Sequence, residues 1–303
     1  MKKFSIRVVY FTIPLIILIV FLELFLRSIP NEFSFKKQYL DKNAEKIETL
    51  ILGSSYFYFG VDPSYFSSSC FNAANTARPL YYDLKIFDKY KEELKKLKVV
   101  VIPISFHSLG QIPEKTPGFR PWGIFNYTVY YGISNEFSVK NNFVVLNLPL
   151  ANIRKTIGKF AERKANNDFN FGWSSLGWGN YYSSSHKVDM VEDGLNAKTK
   201  YDSIAFSSNI IALSDFVDEL NNRSIKVILI TPPAFKTFRR NINLKNVQET
   251  HRAMDEITSK YTNCSYFDYF SSTVFEEKDF WNSDHLNEIG TKKFSLLLDS
   301  IVK

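Results

Sequence analysis

The chain pairs two small hydroxyls with a distant imidazole. Gly53-Ser54-Ser55 closes the apolar run "TLIL" (Thr49–Leu52), and "FWNSDHLNEIG" near the other end holds His285. A serine hydroxyl is barely acidic at neutral pH and attacks a carbonyl only beside a base. Histidine supplies that base, and an acceptor on its far ring nitrogen fixes the tautomer. Ser and His at one place would therefore perform nucleophilic acyl chemistry. Taken alone, Gly-Ser-Ser after a strand reads as a plain turn. The elements between these segments decide whether the groups can meet.

Five short apolar runs read as buried parallel strands: "TLIL", "CFNAA" (Cys70–Ala74), "VVVIPIS" (Val99–Ser105), "KVILIT" (Lys226–Thr231) and "CSYFDY" (Cys264–Tyr269). Amphipathic segments alternate with them. Their stripes are Leu80, Leu84, Phe87, Leu94 and Leu97; Ile210, Leu213, Phe216, Val217 and Leu220; Leu244, Val247, Met254 and Ile257; and Phe294, Leu297, Leu298 and Ile301. The last stripe follows Gly290, with Thr291 as its expected cap. This alternation predicts an α/β, flavodoxin-like three-layer sandwich around a five-stranded parallel sheet in the order 2-1-3-4-5. Such sheets carry function at the carboxyl ends of their strands. Gly53-Ser54-Ser55 lies at one such end, and His285 follows the last strand.

The rhythm breaks between about residues 109 and 202. This stretch, with "GFRPWGIFNYTVYYG" and "NDFNFGWSSLGWGNYYSSSH", is dense in aromatics, Gly and Asn. It reads as an insertion after the third strand that forms a cap or cleft wall. One reading is a rigid decorated loop. The other is a sugar-binding surface in which Trp173 and Trp178 stack on pyranose rings. His186, within it, reads as a surface residue.

At the amino end, basic "MKKFSIR" precedes the apolar "VVYFTIPLIILIVFLELFL" (Val8–Leu26). That length approaches the roughly 20 residues needed to cross a bilayer. The segment ends in Leu, Phe, Leu and Arg27 rather than in small residues, which favours an uncleaved signal anchor over a cleaved signal peptide. Lys2, Lys3 and Arg7 then stay inside. Residues 1–30 are read as tail and transmembrane anchor, and residues 31–303 as one domain facing the periplasm or cell exterior. Glu23 lies near the far end of the span, where it can reach the interface.

The 303 residues carry a net charge of +7. The cations are scattered, and "KYKEELKKLK" (Lys89–Lys98) mixes signs on a predicted helix, so it reads as a solvated face and not a nucleic-acid surface. Cys70 and Cys264 open the strands placed at opposite sheet edges, which separates them beyond the ~7 Å limit for bridging; two free thiols are expected. No metal-ligand spacing is present, and no cofactor is implied.

"LGSS" at the first strand, together with "DHLNEIG" at the end, resembles the SGNH hydrolase superfamily. Within it the sequence looks most like membrane-anchored acyltransferase-like members, the D-alanyl transfer protein of teichoic acid modification and the alginate O-acetylation proteins. The resemblance spans most of Thr49–Lys303, although short blocks carry it. It implies that Ser55, not Ser54, is the nucleophile. It places Ala77 where a glycine usually offers a backbone N–H to the oxyanion, and His107 where an asparagine usually helps. Ser55 N–H is the other implied oxyanion donor. The family's usual Asp-x-x-His would put Asp at position 282, which is Asn here, while Asp284 adjoins His285. Three arrangements are open at this point: Asp284 orients the ring, Asn282 does so as a neutral acceptor, or Ser55 and His285 work as a dyad.

The function expected is acyl transfer to, or ester hydrolysis on, a cell-envelope glycan, with a multi-span membrane acyltransferase as a possible partner supplying acyl groups. The rival is a catalytically decayed glycan-binding or scaffold protein on the same fold. Arg78 beside Ala77 is a further substrate-binding candidate. Lys236, Arg239 and Arg240, after the fourth strand, read as an exposed basic turn or as contacts to an anion. His251, within an amphipathic helix, reads as structural.

Overall fold

The computed structural model describes residues 2–112, 123–134, 138–165 and 201–303. The strands are β1 (Thr49–Ile51), β2 (Cys70–Asn72), β3 (Val99–Pro103), β4 (Lys226–Thr231) and β5 (Cys264–Asp268). The helices are α1 (Lys2–Ser28), α2 (Glu32–Asn43), α3 (Ser55–Gly60), α4 (Leu80–Tyr90), α5 (Phe106–Leu109), α6 (Val144–Asn147), α7 (Leu150–Ala165), α8 (Ser203–Asn222), α9 (Lys236–Arg240), α10 (Leu244–Lys260) and α11 (Glu288–Val302). Contacts divide the chain into two compact units, Met1–Lys37 with Gly123–Phe171, and Gln38–Trp122 with Gly172–Lys303.

The larger unit holds the sheet. All five strands are parallel, in the order β2-β1-β3-β4-β5, as the alternating pattern predicts. The three inner strands β1, β3 and β4 are apolar on both faces, as a sheet covered by helices on both sides requires. Ile51, Val99, Val101, Ile228 and Ile230 share one cluster with Phe57 of α3 and with Phe294 and Leu298 of α11. Alternation along the strands turns Leu50, Val100, Ile102 and Leu229 to the opposite face. On the helices, Phe87 of α4 meets Phe216 of α8 edge to face at 4.9 Å. Cys70 and Cys264 are free and buried on the edge strands β2 and β5. Burial pushes the Cys264 thiol up to about 12 and holds the Cys70 thiol well above its usual range.

Three helical expectations are corrected. The first stripe stops being helix at Tyr90, and Leu94 and Leu97 are buried from turns instead. The mixed-charge run after Lys89 is therefore mostly turn, though Lys95, Lys96 and Lys98 are exposed as expected of a solvated surface. Leu244 opens α10 but points to solvent, because the buried face begins at Asn246 and Val247.

In the smaller unit, α1 is the one helix among the described residues long and apolar enough to cross a membrane. Its last turns leave that pattern: Leu22, Phe25, Leu26 and Ile29 pack with Val144, Val145, Leu148, Ile153, Ile157 and Phe160 of the α6–α7 segment. Glu23 is turned inward and buried. Its carboxylate accepts from Arg27 Nε (2.6 Å) and from the backbone N–H groups of Val144 (3.0 Å) and Val145 (2.9 Å). A carboxylate beside apolar packing is stabilised by such charge-assisted bonds.

Candidate active site

The serine loop is shaped by the backbone at Gly53. Its φ is +119°, and a Cβ there would lie 2.1 Å from Pro103 Cγ, so only glycine fits. Two bonds hold its peptide groups. Gly53 N–H donates to Asp83 Oδ1 of α4 (2.8 Å), and Gly53 C=O accepts from Asn75 N–H after β2 (3.0 Å). Ser54 is extended and precedes α3, leaving Ser55 as the first helical residue, half-buried at the carboxyl edge of β1.

The histidine loop is shaped by side chains. Asn282 Oδ1 accepts from the backbone N–H groups of Asp284 (3.1 Å) and His285 (2.7 Å). Trp281 N–H donates to His285 C=O (2.9 Å), and Phe235 N–H donates to Ser283 C=O (2.8 Å). Behind His285 the chain enters α11 through Asn287, whose Oδ1 accepts from Ile289 (2.9 Å) and Gly290 (3.1 Å) N–H. The cap is thus Asn287 and not Thr291, which is buried inside the helix and donates from Oγ1 to Phe59 C=O (2.9 Å). Asparagine ahead of Glu288 is a sequence signature of a helix start; the glycine at 290 drew attention past it. Gly290 is needed for closeness, since a Cβ would lie 2.2 Å from Asp279 O.

The loops meet because α3 and α11 cover the same face of the sheet, with Phe57 and Phe294 in edge contact at 5.9 Å. His285 Nε2 lies 2.9 Å from Ser55 Oγ. On the other ring edge, Nδ1 lies 3.1 Å from Asp284 Oδ1 and 3.2 Å from Asn282 Oδ1. An ionised carboxylate only accepts, and Asn282 Oδ1 is identified as oxygen by the two backbone N–H groups it already takes. Neutral His285 therefore carries its proton on Nδ1, and the bare lone pair of Nε2 faces the serine. Both orienting candidates face the same nitrogen, and Asp284 brings the charge that stabilises an imidazolium.

A residue missed in the sequence completes this edge. Tyr56 follows Ser55 directly. Its ring stacks on His285 at 5.4 Å, and its hydroxyl donates to Asp284 Oδ2 (3.3 Å). Burial pushes the phenol well above its usual range, so it stays a donor at neutral pH. Beyond Tyr56 lies a mostly apolar pocket whose walls include Phe106, His107, Pro233, Phe238, Val247 and Phe270.

The other sequence candidates fall as follows. Ala77 is exposed in the turn after β2 with φ +50°, a left-handed conformation that glycine adopts more readily. Arg78 is buried rather than open to a substrate; Asp83 Oδ1 accepts from its Nη1 at 3.0 Å and from Gly53 N–H, so Arg78 supports the serine loop. His107, in α5, has its ring 5.5 Å from Tyr56, on the pocket side, and its Nε2 lies 3.4 Å from Ser105 Oγ. Lys236 sits over the Phe235 ring at 5.3 Å, and Arg239 Nη1 donates to Phe270 C=O (3.3 Å), while Arg240 is exposed. His251 Nε2 lies 3.3 Å from Asp268 Oδ2 at the pocket's far wall. Trp173, Trp178 and His186 lie outside the described residues. Among the described residues no cluster of three or more His, Cys, Asp or Glu is arranged to hold a metal ion.

No protein-family model matches the sequence, and no curated protein matches it. Solved structures with a similar chain course include three bacterial proteins. A provisionally named platelet activating factor of Streptococcus pneumonia has a TM-score of 0.45 at 10% identity, over 96% of this chain and 99% of that one. A provisionally named acylhydrolase of Bacteroides fragilis has a TM-score of 0.42 at 13% identity, over 88% and 94%. A GDSL-like lipase of Bacteroides thetaiotaomicron has a TM-score of 0.41 at 13% identity, over 89% and 98%. Likenesses this distant carry no argument about reaction or substrate.

Proposed function

We propose that this chain is a serine acyltransferase or esterase of the cell envelope, anchored by α1 with the sheet-bearing unit outside the cell, and acting on acyl groups of a polysaccharide. The observation that supports it is the line of contacts from Ser55 Oγ through His285 to Asp284 and Asn282. Ser55 Oγ attacks the acyl carbonyl while Nε2 takes the hydroxyl proton. In this reading the backbone N–H groups of Ser55 and Ala77 stabilise the oxyanion. The C–O bond to the leaving group then breaks, and imidazolium returns the proton to the departing oxygen, leaving an acyl-Ser55 ester. Water or a glycan hydroxyl loses its proton to Nε2 and attacks that ester, which regenerates the serine. The apolar pocket beside Tyr56 suits the acyl side of such a substrate. Transfer outside the cell calls for activated acyl groups delivered across the bilayer, which is the role for a multi-span partner.

The rival reading, a decayed hydrolase that serves as a glycan-binding or scaffold protein, draws on the missing carboxylate at position 282 and on the poor match of the segment after the third strand. The contact of Asp284 Oδ1 at 3.1 Å from Nδ1 supports the catalytic reading against the first of these. The test is mass spectrometry of the full chain after exposure to p-nitrophenyl acetate. An acetyl adduct on the peptide holding Ser55, absent from Ser55→Ala, is expected. An adduct that persists in the variant, or none in either protein, overturns the proposal.

A further inference from the structure

The smaller unit carries an apolar and basic surface that the acyl chemistry leaves unused. Along α1 the exposed large side chains run from Phe4 to Leu24, a rise of about 30 Å at 1.5 Å per residue. That matches the thickness of a bilayer's hydrocarbon core, about 30 Å. The α6–α7 segment packs on α1 just where this stripe ends, at Leu22, Phe25, Leu26 and Ile29. Glu23 fixes the junction by accepting from the first two N–H groups of α6 while paired with Arg27. The segment is thereby held at the carboxyl end of the apolar stripe of α1.

Its outer side is unusual for a surface facing water. Val139 is 61% exposed, Phe143 39%, Leu146 53% and Leu150 83%. Single exposed apolar side chains are ordinary, but here four fall within twelve positions of a segment that packs on the end of α1. The next turns of α7 expose Arg154, Lys155 and Lys159, while Ile153, Ile157 and Phe160 are occupied in packing within the unit. Apolar anchors followed by cations on one amphipathic segment are the pattern of a helix lying in an anionic membrane interface.

We propose that Val139–Lys159 is a membrane-surface collar, seated on an anionic phospholipid leaflet where α1 emerges. Val139, Phe143, Leu146 and Leu150 enter the headgroup–acyl boundary, and Arg154, Lys155 and Lys159 contact lipid phosphates. The inference rests on the reading of α1 as a transmembrane anchor.

The test uses the full chain in nanodiscs containing phosphatidylglycerol, with an environment-sensitive fluorophore on Leu150→Cys or, separately, on Ile16→Cys. The two native cysteines are buried and give little background. Both labels should be quenched by brominated lipid, Leu150→Cys by lipid brominated near the headgroup and Ile16→Cys by lipid brominated deep in the acyl chain. Quenching of the Leu150→Cys label by aqueous iodide instead, with Ile16→Cys still lipid-quenched, overturns the collar and leaves the anchor standing. Shielding of Leu150→Cys from both quenchers means that another protein copy covers it, which also overturns the collar. Loss of lipid quenching at Ile16→Cys overturns the anchor and the collar together. Combined Arg154→Gln, Lys155→Gln and Lys159→Gln should lower shallow-lipid quenching about two-fold or more in anionic discs, leaving neutral phosphatidylcholine discs unaffected. An equal response in both lipids overturns the phosphate contacts.

Discussion

The serine loop and the histidine loop reach the same point by different means. The serine loop is short and set by sterics: Gly53 has a left-handed φ, Pro103 leaves no room for a Cβ, and Asp83 and Asn75 hold its peptide groups. The histidine loop is longer and set mainly by polar side chains bonding to main chain, above all Asn282 and Asn287. A steric constraint admits one residue type. A network of hydrogen bonds loses its members one at a time, each at roughly 0.5–1.5 kcal/mol net. Ser55 is therefore placed by a brittle device and His285 by a graded one.

The largest effect expected is on rate. Ser55→Ala and His285→Ala should each lower acyl turnover by about 10³-fold or more with the fold intact, as read by steady-state kinetics and circular dichroism. Near-equal activity in either variant would separate the two loops functionally. The next effect is on stability. Gly53→Ala should cost more than about 3 kcal/mol in urea unfolding, from left-handed strain plus the clash with Pro103. A loss under 1 kcal/mol would mean that the serine loop is as yielding as its counterpart.

The two acceptors on His285 Nδ1 give a finer contrast. Asp284→Asn should reduce kcat by about 10²-fold with little change in stability, because it removes charge but keeps an oxygen near the ring. Asn282→Ala should cost about 1–2 kcal/mol of stability, since two backbone N–H groups lose their acceptor, with a smaller fall in kcat. The reverse ranking in kcat would make Asn282 the principal orienter. The smallest effect is at Ala77. Ala77→Gly should raise stability by about 0.5 kcal/mol, the relief of left-handed strain exceeding the extra entropy of glycine in the unfolded chain. Thermal denaturation reads this directly, and a lower midpoint would place the strain elsewhere.

Much of the site was legible because its signals are local. A glycine ending an apolar run marks a strand stop, and a histidine after the last such run must lie at the same sheet edge. The illegible parts depend on burial. Arg78, beside Ala77, reads as a substrate-binding candidate, yet it is buried against Asp83. Tyr56 is one aromatic among many in the sequence, and only the tertiary structure puts its hydroxyl on Asp284. The cap at Asn287 was readable, but Thr291 after Gly290 competed for the role. The Asn282 and Asp284 alternatives were undecidable in one dimension, since residues one and three positions from the histidine both reach its ring.

By itself the sequence determined the strand and helix periods, the parallel order 2-1-3-4-5, the free cysteines and one membrane-length apolar helix. These follow from side-chain spacing and from which runs must be buried on both faces. Tertiary structure alone decided the partners: the 2.9 Å approach of Ser55 to His285, the two oxygens behind the ring, and the inward turn of Glu23. Such distances depend on how packed helices seat against one another, as Phe57 and Phe294 do between α3 and α11, and no spacing along the chain encodes that seating.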